Sequence, residues 1–202
     1  MLLTHVWGLL VQPKVEWKSI RDERCTVGKC YCSHVLFLAA IPVIAYFFGT
    51  TKVGWVIGTT SVRLSIDSAL KISALTYITL LVGVFAMGKA IHWMSQTYGA
   101  KQNLPQSIAL AAYTATPLFL TGIMLLYPIP WLNLLVGLVA LAYTVYLLYT
   151  GVPIMMKISQ ERGFLFASAV LGVGLVMLVG VLAATVVLWD VGGLAPSFIN
   201  VS

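Results

Sequence analysis

Residues 104–127, LPQSIALAAYTATPLFLTGIMLLY, and 131–149, WLNLLVGLVALAYTVYLLY, flank the string Pro128-Ile129-Pro130. They lie in a run of 55 residues between Lys101 and Lys157 that holds no Asp, Glu, Lys, Arg or His. One apolar helix needs roughly 20 residues to span hydrocarbon, so the run has room for two crossings. Two prolines forbid a continuous helix and make a tight connection, which predicts an antiparallel hairpin of spans at 104–127 and 131–149. Both arms carry a similar phrase, Tyr113-Thr114-Ala115-Thr116-Pro117 and Tyr149-Thr150-Gly151-Val152-Pro153. A proline inside a span frees a backbone carbonyl that a neighbouring helix or a Thr hydroxyl must satisfy. The rest of the bundle is expected to pack on this hairpin.

Outward from it, three further spans are expected at 33–49, 72–88 and 164–189, the first containing Pro42 and the second bracketed by Lys71 and Lys89. The connector with Lys52, Arg63 and Asp67 reads as a small extended hairpin, and 92–103 as a polar link. Residues 2–11 place Leu2, Leu3, Val6, Leu9 and Leu10 at helical spacing. They are too few to cross, so a short interfacial helix ending before Pro13 is expected, followed by a mixed-charge segment to Lys29. Ser168-x3-Gly172 and Gly180-x3-Ala184 have the small-xxx-small spacing that lets helices approach closely.

The chain has 202 residues, 60% of them hydrophobic and only 9% charged, against about 25% charged in soluble domains. The expected fold is therefore all-α: one membrane domain over 1–202, with an N-terminal segment at 1–32, a five-helix bundle at 33–190 and a tail at 191–202. The net charge of +6 does not imply nucleic acid, because the basic residues are spread between spans, where they act as topology determinants. With the N-terminus inside, Lys14, Lys18, Arg21, Arg24, Lys29, Lys89, Lys101, Lys157 and Arg162 face the cytoplasm. Lys52, Arg63 and Lys71 then lie outside, which predicts a cytoplasmic N-terminus and a periplasmic C-terminus. No cleavable signal is expected, since the first basic residue, Lys14, follows the apolar stretch 1–11 instead of preceding it.

Two groups of residues are candidates for chemistry. Cys25, Cys30, Cys32 and His34 place four zinc-type ligands within ten residues, with His5 able to approach from the N-terminal helix. Their spacing is not a standard chelating pair, and the competing reading is that they are incidental residues at the mouth of the first span. Tyr113, Pro117, Asn133, Tyr149 and Pro153 form a candidate ligand cavity at the proline-broken helices. The competing reading there is interhelical hydrogen bonding, the usual role of polar groups in a span. No enzyme motif is present, no acid lies near a histidine in sequence, and no span carries a charge between its flanks. The reading is thus of no enzyme and no resident cofactor beyond the candidate zinc.

The strings Val6-Trp7-Gly8-Leu9-Leu10 with Pro13, His34-Val35-Leu36 with Ala39-Ala40-Ile41-Pro42-Val43-Ile44, and Gly49-Thr50-Thr51-Lys52-Val53-Gly54-Trp55 resemble the Yip family (Ypt/Rab-interacting membrane proteins). Ala115-Thr116-Pro117-Leu118-Phe119-Leu120, Tyr127-Pro128 and Tyr146-Leu147-Leu148-Tyr149-Thr150-Gly151-Val152-Pro153 extend the resemblance over nearly the whole chain, most closely to the family's bacterial inner-membrane branch. It implies five spans with a cytoplasmic N-terminus, agreeing with the charge count, and it transfers no catalytic residues. Eukaryotic members are associated with Rab GTPases and have a long N-terminal extension that this sequence does not show, so that role is not carried over. The expected function is a non-enzymatic inner-membrane protein that organises or binds lipids, membrane partners or its own copies. The alternative is a small-solute channel or transporter using the central cavity.

Overall fold

The computed structural model describes residues 2–23, 26, 28, 31–57, 60–100, 102–190 and 195–201. Among these, five helical segments are long and apolar enough to cross a membrane: Leu36–Val53, Ile66–Ser95, Leu104–Leu126, Pro130–Met156 and Gln160–Trp189. The protein is an all-α integral membrane protein with a five-span bundle, as its apolar runs predict.

Two short helices precede the bundle. Helix α1 (Leu2–Val11) turns at Gln12 into α2 (Pro13–Asp22), which has its proline in the first turn, where a missing N–H costs nothing. Only α1 is visible as an apolar pattern. Helix α2 is mixed in charge, yet it buries Trp17 and Ile20, which lie three residues apart on one face. The first span is α3 (Leu36–Phe48), with a π-helical turn at each end, Tyr31–Val35 and Gly49–Val53. Pro42 lies inside α3, and its ring rests where a side chain on Gly122 would otherwise stand.

A hairpin of β1 (Trp55–Ile57) and β2 (Thr60–Leu64) follows, as expected for the connector. Helix α4 (Ile66–Ser95) begins at Ser65, whose hydroxyl accepts from the Ser68 N–H at 3.3 Å. The helix extends well beyond the apolar stretch 72–88. Backbone hydrogen bonding does not stop at the hydrocarbon edge, and the stems of Lys71 and Lys89 can reach outward from a continuing helix.

Asn103 and Gln106 form a reciprocal capping box, at 3.2 and 3.3 Å, that starts α5 (Leu104–Thr114). The helix is interrupted at Ala115 and resumes as α6 (Thr116–Thr121), finishing in the 3-10 turn Gly122–Leu126. Pro117 supplies the interruption, because it has no N–H to offer the carbonyl four residues back. This span is the axis of the bundle: 56% of its most apolar window is buried, against 6% for each of the spans Ile66–Ser95 and Gln160–Trp189. Gly88 of α4 meets it so closely that a methyl there would stand 2.7 Å from Ile108 Cγ1.

Helix α7 (Pro130–Met156) runs antiparallel to that span and continues through Pro153, seven residues past the expected 149. Helix α8 (Gln160–Asp190) completes the bundle. The expected small-residue pairs in α8 do not make close approaches, since open space surrounds Gly172 and Gly180; the tight contacts fall at Gly49, Gly88, Gly122, Gly151 and Gly163 instead. After α8, β3 (Phe198–Val201) pairs antiparallel with β2, with Leu64 opposite Phe198. The sheet order β1-β2-β3 ties the tail to the connector between the first two spans. The bundle therefore has two ends. One carries the sheet, and the other carries α1, α2, the turn at 96–100 and the α7–α8 turn.

Candidate functional site

At the α1–α2 end, polar side chains from four elements converge. His5 of α1 faces two carboxylates across the Gln12 turn, with Nδ1 against Glu16 Oε1 and Nε2 3.1 Å from Glu23 Oε2. Gly8 makes this possible, because the Glu16 side chain lies in the space a methyl on Gly8 would fill. Each ring nitrogen thus faces a carboxylate oxygen, which bridges α1 to α2 and Glu23. The His5 ring also meets the edge of Tyr113 at 5.7 Å between centroids. His34 lies against the same tyrosine at 4.1 Å, and its Nε2 is 2.9 Å from Thr116 Oγ1 at the break in the third span. His34 and Tyr113 are both buried, and among the described residues His34 Nδ1 has no hydrogen-bond partner.

Docking of the two helices onto the bundle is equally specific. Trp17 is fully buried and lies over Gly151 of α7, where a methyl would stand 2.6 Å from Cε2 and 2.8 Å from Cζ2. Tyr143 Oη donates to the carbonyls of Leu9 at 2.9 Å and Leu10 at 3.1 Å, satisfying acceptors at the C-terminal end of α1. Arg21 forms a two-pronged pair with Asp22, at 2.8 and 3.1 Å, which holds the exposed Asp22 carboxyl below its ordinary range.

Flanking Trp17 on α2, Lys14 and Lys18 overlook a groove of about 580 Å³ between α2, the end of α7 and the start of α8. Tyr149, Thr150, Pro153, Ile154, Ile158 and Phe164 line it. Both hydroxyls already have partners: Tyr149 Oη is 2.8 Å from Ser168 Oγ, and Thr150 Oγ1 donates to the Tyr146 carbonyl at 2.9 Å.

The residues singled out from sequence are distributed as follows. Cys25 and Cys30 lie outside the described residues, as does the side chain of Cys32; of that cluster only His34 is described. Among the described residues, no three His, Cys, Asp or Glu side chains are arranged to hold a metal ion. Of the candidate cavity residues, Tyr149 and Pro153 line the groove just described, while Tyr113 and Pro117 are buried at the centre of the third span. Asn133 is elsewhere, its Nδ2 donating to the Tyr127 carbonyl at 2.9 Å to brace the Pro128–Pro130 turn. The two lysines and the His5–Glu16–Glu23 group are what sequence reasoning missed. Their signal was present but faint: Pro13 opening a helix, then Trp17 and Ile20 at helical spacing.

Five spans, a docked N-terminal helical hairpin and a polar interior occupied by helix-to-helix contacts define an integral membrane protein. The sequence matches the Yip1 domain family over residues 7–181, and the chain belongs to that family. Two relatives named inner membrane protein YohC, from Escherichia coli strain K12 and Escherichia coli O6:H1, are each 45% identical over 191 residues, covering 94% of this chain and 98% of their own. No solved structure matches.

Proposed function

We propose that this chain is a non-enzymatic protein of a bacterial inner membrane that binds lipids or membrane-protein partners, its own copies among them. The observation that carries the reading is a contrast between inside and outside. Inside, the hydroxyls of Tyr77, Tyr143 and Tyr149 bond to neighbouring helices, whereas α4 and α8 turn long apolar faces outward, including Ile78, Val82, Val176, Val179 and Val186. No resident cofactor enters this reading. The channel alternative has less support, because Asn133 braces a turn remote from Tyr113 and Pro117.

The N-terminus is read as cytoplasmic and the C-terminus as periplasmic. In the sequence, nine basic residues precede the first apolar run or lie between the second and third and the fourth and fifth runs, against three between the first and second. An alkaline phosphatase fused after Ser202 is expected to be active and a fluorescent protein there dark; the reverse pattern overturns the orientation. Flux into proteoliposomes tests the non-transporter reading. Saturable uptake of a small solute that Tyr113→Phe abolishes would refute it.

A further inference from the structure

Helix α2 presents Lys14 and Lys18, four residues apart and so on one face, above the 580 Å³ groove. The other ionic groups of α2, with Glu23, are committed elsewhere: Glu16 and Glu23 to His5, Arg21 and Asp22 to each other. Among the described residues neither lysine has a carboxylate partner. The wall below them joins the apolar Pro153, Ile154, Ile158 and Phe164 to Tyr149, Thr150 and Gln160. Trp7, Val15, Phe164 and Leu165 are exposed around the same end, an arrangement suited to the interfacial layer, where lysine stems keep their ammonium groups among the headgroups. A second groove, of about 280 Å³, opens between α4 and α8, but its one lysine, Lys71, is already paired with Asp67 at 2.7 Å.

We propose that the α2–α7–α8 groove binds a phospholipid with an anionic headgroup, the phosphate held between the Lys14 and Lys18 ammonium groups and one acyl chain along Pro153, Ile154 and Ile158. Charge complementarity selects the headgroup, because two unpaired cations above a partly apolar wall match an anion joined to a hydrocarbon chain. The site deepens the lipid-binding reading given above and rests on it. It also gives α2 a second attachment to the bundle, beside the contact of Trp17 with Gly151.

The test is native mass spectrometry of the full-length protein in detergent, titrated with phosphatidylglycerol and with phosphatidylcholine of the same chain length. The wild type is expected to retain phosphatidylglycerol at concentrations where phosphatidylcholine is lost. The double variant Lys14→Gln, Lys18→Gln is expected to bind phosphatidylglycerol about 30-fold more weakly, from about fivefold per lysine near a membrane surface. Lys14→Arg, Lys18→Arg keeps the charge and is expected to keep binding, and Lys52→Gln, Lys71→Gln, with the same net loss of charge at the sheet end, is expected to change it less than twofold. Equal retention of both lipids by the wild type, or equal loss in both glutamine pairs, overturns the site while leaving lipid binding standing. Displacement by millimolar inorganic phosphate overturns it too, in favour of a free-anion site. Retention of neither lipid overturns both the site and the lipid-binding reading beneath it.

Discussion

Replacing Gly151 with alanine would place a methyl carbon 2.6 Å from Cε2 and 2.8 Å from Cζ2 of Trp17, and 3.1 Å from Cδ1 of Leu110. Carbon atoms in contact rest at about 3.5–4.0 Å, so the indole must withdraw by roughly 1 Å or leave its site. Trp17 is the largest buried side chain of α2, and its displacement loosens the whole N-terminal hairpin. The helix-propensity gain of alanine over glycine does not offset this, because α7 is helical whether or not α2 is docked. Overpacking of this kind costs about 1–3 kcal/mol, which lowers the docked-to-undocked ratio roughly five- to 150-fold. Hydrogen–deuterium exchange on peptides covering residues 2–22, in the same micelle, is expected to show that loss of protection. Gly137→Ala makes the same chemical change on the same helix with nothing within 4 Å, and is expected to change nothing. Trp17→Phe, introduced beside Gly151→Ala, is expected to restore part of the protection by removing indole bulk. Full protection in Gly151→Ala, or equal loss in Gly137→Ala, would refute the reasoning.

Two further predictions concern the clamp and the tail. His5→Ala leaves Glu16 and Glu23 facing each other without the ring between them, and is expected to lower stability by about 1–3 kcal/mol in thermal melts. Adding Glu16→Gln and Glu23→Gln should recover part of that loss, and an unchanged melt of the single variant would show that the clamp contributes nothing. Ser197→Pro removes the N–H that donates to Ser68 Oγ at 3.1 Å; faster amide exchange in 60–65 is expected, with the bundle melt unchanged, and undisturbed exchange there would deny the tail its role in the sheet.

The five spans were legible because each is an apolar run of sufficient length, and the double proline at 128 and 130 announced the central turn. Their ends were less so: hydropathy marks where hydrocarbon stops, whereas α4 continues through Lys89 and His92 because its backbone bonds do not depend on lipid. Helix α2 was hidden by its charge, since two buried residues in ten make a faint apolar stripe. The His5–Glu16–Glu23 group was hidden by separation, its members lying 11 and 18 residues apart and joined only by the turn at Gln12. Tyr149 and Pro153 were picked out for a shared phrase with Tyr113 and Pro117, and they do line a groove, but that groove is completed by lysines of α2 that the phrase does not contain.

The three-stranded sheet has a consequence for the order in which the chain is completed. Strand β2 and the segment following it emerge after one crossing, yet the Ser65 N–H has its acceptor, the Ser197 carbonyl at 2.9 Å, only after all five. The partners are 132 residues apart in sequence, so no nascent chain lacking its last span can close that edge. An incomplete protein would present the β2 edge unpaired, the feature that invites strand addition from other chains. The closed sheet thus acts as a seal on the bundle, joining the loop after the first span to the strand after the fifth in the way a clasp closes a strap.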